Sequence, residues 1–270
     1  MAEKGAASFV GSIPEHYDRG MGPVQFVPYA EDLAKRLSDA RPQGAMLEIA
    51  CGTGILTKAL RERFPAPVRL VATDLNQPML DYASAKLADG SIEWKQADAM
   101  KLPFDKGTFG SAACGFGVMF VPDKAVAFRE TRRVLAPGGV FAFNTWDGLE
   151  NNGTTRVAQE TICSFFGGDE PAFFKIPFGF SDRDVIRRLL ESEGFGKIEM
   201  EAVTIMSSSP SAREYANGVI LGTPARHEIE QRGIDLDEVV EAVTAALARE
   251  CGDKPCSSSR RALVVTARAA

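Results

Sequence analysis

The sequence predicts an α/β fold built on one mostly parallel sheet of about seven strands, with helices on both faces. In the first two thirds of the 270 residues, short apolar runs alternate with segments whose apolar residues recur at helical spacing. The connections between them are short, as in repeated strand–helix–strand units. Hydrophobic residues make up 45% and charged residues 25% of the chain, which is enough apolar material for a sizeable core.

Strands and helices alternate from the first apolar run onward. The strands are predicted at 45–50, 68–74, 92–98, 109–117 and 140–146. The helices between them are predicted at 55–64, 78–88 and 124–135. Pro78 suits the first turn of its helix, where a missing N–H costs nothing. The Ala-Pro-Gly-Gly of 136–139 ends the third of these helices.

The remainder of the chain is more helical. Helices are predicted at 154–166, 181–195, 211–222 and 235–250, and strands at 197–206 and 262–269. The cap-like pair Ser181-Asp182 and the terminal Gly194 bound the second of these helices. A helical insert at roughly 208–258 therefore separates the last two strands, where it leaves the sheet intact and can cover its ligand edge.

Net charge and cysteine usage exclude several classes of protein. The formal net charge is −5 and the arginine pairs are scattered, so neither nucleic acid nor an anionic membrane is an expected partner. The five cysteines are widely spaced and form no Cys-x-x-Cys pair, which predicts neither a metal site nor a disulfide framework. No apolar run approaches the roughly 18 residues of a membrane span. We therefore expect a cytoplasmic protein without a membrane span.

The first strand ends in a glycine turn, within the stretch "LEIACGTGILT" at 47–57. Gly52 and Gly54 let the backbone bend sharply and let a ligand approach without meeting a Cβ. A dinucleotide fingerprint needs a third glycine, and a phosphate-binding loop needs Gly-Lys-Ser/Thr, and both are absent here. The turn therefore favours a ligand other than a pyrophosphate.

The next two strands each end in an aspartate. Asp74, 20 residues after Gly54, is placed to accept hydrogen bonds from both hydroxyls of a ribose. Asp98 is placed to accept from the amino group of an adenine, while Ala99 offers its backbone N–H to the ring. Asn76 is expected to cap the helix that follows, which leaves Asp74 for the ligand. Groups for a nucleoside at successive strand ends predict a nucleoside site at this edge.

The ordered motifs "LEIACGTG", "VATDLNQPML", "QADAMKLPF", "CGFGVMF" and "RVLAPGGVFAFNTW" resemble the class I S-adenosylmethionine-dependent methyltransferases. The resemblance is strongest to the small-molecule branch that includes the ubiquinone and menaquinone C-methyltransferases. It covers about residues 10–207 and, more loosely, the closing strand. It implies a single Rossmann-like domain over 1–270 with an antiparallel last strand, an N-terminal lid at about 1–40 and a substrate-capping insert at about 208–258.

The resemblance also implies a set of residues that contact S-adenosylmethionine and its product S-adenosylhomocysteine. The methionine end of the cofactor would lie along Glu48, Ala50, Gly52 and Thr53. Asp74 would hold the ribose, while Leu75, Met79, Asp98 and Ala99 would contact the adenine. Cys114, Gly115 and Phe116 would form the floor beside the sulfonium, and Tyr17 would close over the cofactor. The family's first glycine is Ala50 here, and its usual Phe-Asp is Phe109-Gly110.

Methyl transfer from a sulfonium makes little demand on acid–base side chains, because the methyl group is already activated. His16 and His227 are weak catalytic candidates, and the sequence identifies no catalytic residue. We therefore expect methyl transfer to a small, lipophilic or aromatic metabolite by in-line displacement. The alternatives are a non-catalytic S-adenosylmethionine-binding regulator or scaffold and a nicotinamide oxidoreductase, which the missing third glycine disfavours. The oligomeric state stays open, a homodimer being one option.

The substrate side of the site is suggested by "PAFFKIPFGF" at 171–180, a loop rich in phenylalanine. These side chains either roof an apolar substrate pocket together with the insert or pack the insert onto the sheet. The residue pattern leaves both interpretations open. The atom that is methylated is not indicated.

Overall fold

The computed structural model describes residues 13–167 and 171–270. Seven strands form a single sheet in the order β3-β2-β1-β4-β5-β7-β6. The strands are β1 (Met46–Ile49), β2 (Leu70–Asp74), β3 (Ile92–Gln96), β4 (Phe109–Gly115), β5 (Leu135–Trp146), β6 (Phe195–Ser209) and β7 (Cys256–Ala269). The first five strands run parallel to one another, whereas β7 is antiparallel to both β5 and β6. The predicted seven-stranded, mostly parallel sheet with an antiparallel last strand is confirmed.

Ten α-helices are described; they cover both faces of the sheet and form the insert between β6 and β7. They are α1 (Ile13–Gly20), α2 (Val27–Asp39), α3 (Ile55–Arg63), α4 (Gln77–Leu87), α5 (Lys124–Val134), α6 (Gly153–Ser164), α7 (Arg183–Ser192), α8 (Ala212–Leu221), α9 (Ala225–Gln231) and α10 (Leu236–Cys251). A π-helical turn at Gly22–Phe26 joins the first two. Among the described residues, no helix combines the length and apolar character needed to cross a membrane.

The sheet reverses its order at β1, which has β2 on one side and β4 on the other. All residues of β1 and β2 are buried, as expected for central strands covered on both faces. In such a sheet, ligands bind beyond the carboxyl ends of the strands at the point of reversal. The topology therefore directs the search for a site to the turns after β1, β2 and β4.

The last two strands extend further than the sequence predicts. The β6–β7 ladder continues to the pair Ser209–Cys256, so the insert between them occupies 210–255. The insert contains α8, α9 and α10, of which α9 was not predicted separately. As predicted, Asp182 caps α7, with its Oδ1 accepting from the backbone N–H groups of Asp184 and Val185.

Gly110 explains one departure from the resembled family pattern. A Cβ at this position would lie 1.5 Å from the carbonyl oxygen of Gln43, so no side chain fits there. The loop before β1 crosses β4 at this point. An acidic residue at 110 is therefore excluded by the path of the backbone.

Helices α1 and α8 cross in direct backbone contact. A Cβ on Gly20 would lie 2.5 Å from the Cα of Gly218, and one on Gly222 would lie 2.8 Å from the Cα of Tyr17. The two helices share an apolar cluster with α6, α9 and α10. The N-terminal helix and the insert are therefore packed together above the sheet edge.

Candidate active site

A cavity opens at the carboxyl ends of β1, β2 and β4, and encloses about 1250 Å³ of empty space including its mouth. The predicted cofactor-contacting residues other than Cys114 all lie along its wall. These are Tyr17, Glu48, Ala50, Gly52, Thr53, Asp74, Leu75, Met79, Asp98, Ala99, Gly115 and Phe116. The wall also includes Asn144, Phe26 and Phe120, which the sequence analysis did not identify. This space is called the first cavity below.

Asp74 joins the turn after β1 to the end of β2. Its Oδ2 accepts from the backbone N–H of Gly52 at 2.9 Å, and its Oδ1 accepts from that of Asn76 at 2.8 Å. Asn76 occupies the N-cap position of α4, but its side chain makes no capping hydrogen bond. Burial raises the pKa of Asp74. Oδ1 also accepts from Asn76 Nδ2 at 3.4 Å, so the remaining acceptor capacity of Asp74 lies on Oδ2.

The two glycines of the turn serve different purposes. Both have positive φ, +54° at Gly52 and +78° at Gly54, which a residue with a Cβ adopts only at a cost. A Cβ on Gly52 would meet nothing within 4 Å, whereas one on Gly54 would lie 3.1 Å from the Cβ of Ala83. Gly54 therefore permits close packing of α3 against α4, while Gly52 leaves open space at the first cavity.

Two acceptor oxygens in the first cavity lack a donor. Glu48 Oε2 and Asn144 Oδ1 are buried and have no hydrogen-bond partner among the described residues. Their residues are 1% and 0% exposed, and both line the first cavity. Burial, reinforced by the charge of Asp74, raises the pKa of Glu48 to about 8. Unpaired buried acceptors are costly, so this corner fits a ligand that brings hydrogen-bond donors or positive charge.

Asp98 and Leu75 lie at the outer part of the first cavity. Asp98 Oδ1 accepts from the backbone N–H of Met100 at 2.8 Å, which fixes the loop after β3. Leu75 is 60% exposed although its side chain is apolar, whereas Met79 is 4% exposed. An exposed apolar side chain beside a half-buried carboxylate offers both stacking and polar contact to a flat ring.

Helix α1 is held over the glycine turn by Asp18. Its Oδ1 accepts from Thr53 Oγ1 at 2.8 Å and pairs with Lys86 Nζ at 2.6 Å. The second oxygen, Oδ2, accepts from the hydroxyl of Tyr82 at 3.2 Å. Asp18 thus connects α1 to both the turn and α4. It was not predicted, because its partners are far away in sequence.

Three sequence-predicted residues do not line the first cavity. Cys114 is 1% exposed within β4, and burial raises the pKa of its thiol to about 12. Neighbouring residues of a strand point to opposite faces, so Cys114 and Gly115 cannot both face the same space. His16 is half-buried on α1, and His227 on α9 lies 3.6 Å from Glu230. Neither histidine reaches the first cavity.

The chain is similar in sequence to known methyltransferases. Residues 47–143 match a family model described as a methyltransferase domain. The chain is 31% identical over 174 residues to the demethylmenaquinone methyltransferase of Staphylococcus haemolyticus, covering 58% of this chain and 71% of that protein. With the Staphylococcus aureus (strain JH9) protein of the same description it shares 27% over 211 residues, or 72% and 86% of the two chains.

The chain belongs to the class I S-adenosylmethionine-dependent methyltransferases. This methyltransferase uses S-adenosylmethionine as its cofactor, and the comparisons give no support to the non-catalytic alternative.

Solved structures agree on the fold of the methyltransferase. A SAM-dependent methyltransferase from Thermotoga maritima superimposes with a TM-score of 0.56 at 14% identity, over 95% of this chain and 96% of that one. Phosphoethanolamine N-methyltransferase 2 from Haemonchus contortus, solved with S-adenosylmethionine, gives 0.56 at 16% identity over 94% of this chain and 56% of its own. At these identities the likeness concerns the fold.

A second cavity in the methyltransferase adjoins the first. It encloses about 550 Å³ of empty space including its mouth, and Tyr17, Phe26 and Phe120 line both cavities. The rings of Tyr17 and Phe26 stack with centroids 4.9 Å apart. The remaining wall is mostly apolar and comes from the segment between α1 and α2, the sheet edge, α6, the aromatic loop and the insert. It comprises Met21, Gln25, Met119, Trp146, Thr155, Phe173, Phe174, Pro177, Phe178, Val219 and Thr223.

The aromatic loop contributes rings both to the second cavity and to the apolar cluster of the insert, which includes Phe173 and Phe174. Phe173, Phe174 and Phe178 line the second cavity. Phe180 instead belongs to the core of the sheet, where its carbonyl accepts from Thr145 Oγ1 at 3.0 Å. The loop is thus anchored at one end and contributes rings to the second cavity along the rest.

Proposed function

We propose that this methyltransferase binds S-adenosylmethionine in the first cavity and methylates a small, apolar or aromatic acceptor held in the second cavity. The observation that carries the proposal is the wall of Tyr17, Phe26 and Phe120, which belongs to both cavities. An apolar space that shares side chains with a cofactor site is suited to present an acceptor to it. In this proposal residues 13–39 act as a lid and 210–255 as the substrate cap of a single domain.

The residues of the first cavity suit the cofactor group by group. Glu48 Oε2 and Asn144 Oδ1 are the unpaired acceptors that the ammonium group of the methionine part would satisfy. Asp74 would hold the ribose hydroxyls with its remaining acceptor sites. Leu75, Met79, Asp98 and Ala99 would surround the adenine, and the space beside Gly52 would admit the methionine chain.

In this proposal, catalysis depends on how the acceptor is placed relative to the methyl group of the cofactor. When bound, the cofactor supplies a methyl group already activated on a sulfonium. Phe116 closes the first cavity beside the second, and its ring stacks on Trp146 with centroids 4.1 Å apart. These rings exclude water and hold the acceptor at attack distance, which accounts for much of the rate in such transfers. Neither His16 nor His227 has a part in this scheme.

Two further observations support the proposal. The Staphylococcus relatives are named demethylmenaquinone methyltransferases, and the mostly apolar wall of the second cavity suits an apolar acceptor. No disulfide joins any of the five cysteines, in keeping with a reducing cytoplasm as the site of the reaction.

The test is a search for methylated products. The enzyme and S-adenosylmethionine carrying a labelled methyl group are added to a metabolite extract, and labelled products are separated by mass spectrometry. We expect labelled products in the apolar fraction, and much less of them with the Asp74→Ala variant at the same cofactor concentration. Label found only in highly polar products would contradict the apolar acceptor, and the absence of any labelled product would contradict the reaction.

A further inference from the structure

The second cavity has one polar corner, formed by Gln25 and Thr155 in front of Tyr215. Gln25 Nε2 donates to the hydroxyl of Tyr215 at 2.6 Å, and Thr155 Oγ1 lies 3.0 Å from the same hydroxyl. Gln25 comes from the π-helical turn of the lid, Thr155 from α6 and Tyr215 from α8. Three separate elements therefore converge on one hydroxyl group at the edge of an apolar space.

Gln25 and Thr155 have donor and acceptor groups that their hydrogen bonds to Tyr215 do not use. The Tyr215 oxygen accepts from Gln25, so the Tyr215 proton is available to Thr155 Oγ1. In that arrangement Thr155 keeps its own hydroxyl proton, and Gln25 keeps a second N–H and its carbonyl oxygen. Among the described residues no other hydrogen bond is formed by these two side chains. Both line the second cavity and can bind a polar atom there.

Arg260 lies behind this corner and fixes it. It is 1% exposed, and its guanidinium stands 4.9 Å from the centre of the Tyr215 ring. It donates to Thr154 Oγ1 at 2.7 Å and to Ser207 Oγ, while no described carboxylate forms an ion pair with it. A buried guanidinium stacked on a ring restricts the position of that ring. Arg260 thus holds Tyr215 in place although it does not line the second cavity.

Thr223 provides a contrast within the same cavity. It also lines the second cavity, but its hydroxyl donates to the carbonyl oxygen of Val219 at 2.7 Å. The hydroxyl proton of Thr223 is therefore engaged by the backbone at the end of α8 and is not available to a ligand. Polar binding capacity is concentrated at Gln25 and Thr155, away from Thr223.

We infer that the methyl acceptor carries a hydroxyl or carbonyl oxygen on an otherwise apolar ring, and that Gln25 and Thr155 bind this oxygen. Tyr215 and Arg260 act as positioning residues, since they hold those two side chains without touching the acceptor. The inference rests on the proposed function, because it assigns the second cavity to the acceptor. It goes further by naming the chemical group that the cavity selects.

The test compares two probes that differ by one hydroxyl group, 2-naphthol and naphthalene. Their binding to the full chain, saturated with S-adenosylhomocysteine, is measured by equilibrium dialysis. A purely apolar cavity would prefer naphthalene, whereas one satisfied hydrogen bond should favour 2-naphthol by about tenfold. Thr155→Val and Gln25→Leu should each reduce or abolish this preference for 2-naphthol while naphthalene binds as before.

Thr223→Val is the matched control, because it removes the same hydroxyl from the same cavity and should leave the preference intact. Arg260→Met should lower the preference without changing the affinity for naphthalene, and Arg260→Lys should restore part of it. Should Arg260→Met fail to fold, the Thr155 and Thr223 pair still decides the question. Equal binding of both probes to the unaltered protein would overturn the inference while leaving an apolar acceptor site.

The same experiment distinguishes a failure of the proposed function from a failure of this inference. If S-adenosylhomocysteine binds but neither probe does, the second cavity is not the acceptor site, and the inference falls with it. If S-adenosylhomocysteine itself does not bind, the assignment of the first cavity is wrong.

Discussion

The backbone N–H of Gly52 donates to Oδ2 of Asp74 over 2.9 Å, which joins the glycine turn after β1 to the end of β2. The carboxylate thereby fixes the turn on one side and faces the first cavity on the other. The shape of the turn and the polar character of this part of the cavity therefore depend on the same side chain.

Replacing Asp74 with alanine should weaken S-adenosylmethionine binding by about 10- to 100-fold, the loss expected for charge-assisted hydrogen bonds worth roughly 1.5–3 kcal/mol. Isothermal titration measures the effect. Asp74→Asn should lose less, because an amide oxygen can still accept from Gly52. The exposed Asp81 on α4 supplies the control Asp81→Ala, which should bind normally. An unaltered affinity in folded Asp74→Ala would exclude Asp74 from the cofactor site.

Alanine at the two turn glycines should separate stability from binding. Gly54→Ala should cost more stability, because its methyl group would press on Ala83 and Leu87 in addition to the strain of a positive φ. Gly52→Ala carries the backbone strain alone, roughly 1–2 kcal/mol, but puts its methyl group in open space at the first cavity.

Thermal unfolding and cofactor titration on both glycine variants check this. We expect Gly54→Ala to have the lower melting temperature and, once folded, nearly normal affinity. Gly52→Ala should keep more stability and bind S-adenosylmethionine less tightly. The reverse order in either measurement would contradict the roles assigned to the two glycines.

Glu48 should make the stability of the cofactor-free protein depend on pH. Its pKa is about 8 in the folded protein and near 4.5 for an ordinary glutamate, so the folded state binds this proton more tightly. The resulting stability is complete below about pH 4.5 and is lost as the pH rises through about 8. Each unit of difference corresponds to about 1.4 kcal/mol between the protonation states.

Glu48→Gln keeps a neutral side chain of similar shape and should abolish this dependence. Melting temperatures of the two proteins, measured between about pH 5 and pH 9, should diverge in favour of the variant at the alkaline end. Parallel curves over this range would show that Glu48 is ionised in the folded protein at neutral pH.

Asp18 should control how long the lid stays closed over the cofactor. Asp18→Ala removes the acceptor of Thr53, Tyr82 and Lys86 together, so the dissociation rate of S-adenosylmethionine should rise by about tenfold or more. Stopped-flow displacement measures this rate. Glu15→Ala removes an exposed carboxylate from the same helix and is the matched control. If both changes raised the dissociation rate equally, the effect would come from the loss of a negative charge on α1 and not from the contacts of Asp18.

The sheet and the strand-end residues were predictable because each is encoded locally. An apolar run, a turn with glycines and an aspartate at the next strand end are visible in one stretch of sequence each. Parallel strands then bring their carboxyl ends to one edge, so Gly52, Asp74 and Asp98 meet without further information.

The residues missed by the sequence analysis are defined by tertiary contacts. Asn144 lies within an apolar strand pattern and reaches the site because β5 pairs Asn144 with Gly115 of β4. Asp18 and Gln25 acquire their roles from partners 35 or more positions away. The packing of the whole chain sets the register of β5 and the position of the N-terminal helices. The spacing of residues within one stretch of sequence does not reveal either of them.

The close contact between Gly20 and Gly218 packs α1 directly against α8 of the insert. Because the two backbones touch there, we expect α1 and the insert to move together. We expect an added methyl group at this crossing to displace α1 relative to α8, and thereby to change the shape of the second cavity, which Tyr17 of α1 and Val219 of α8 both line.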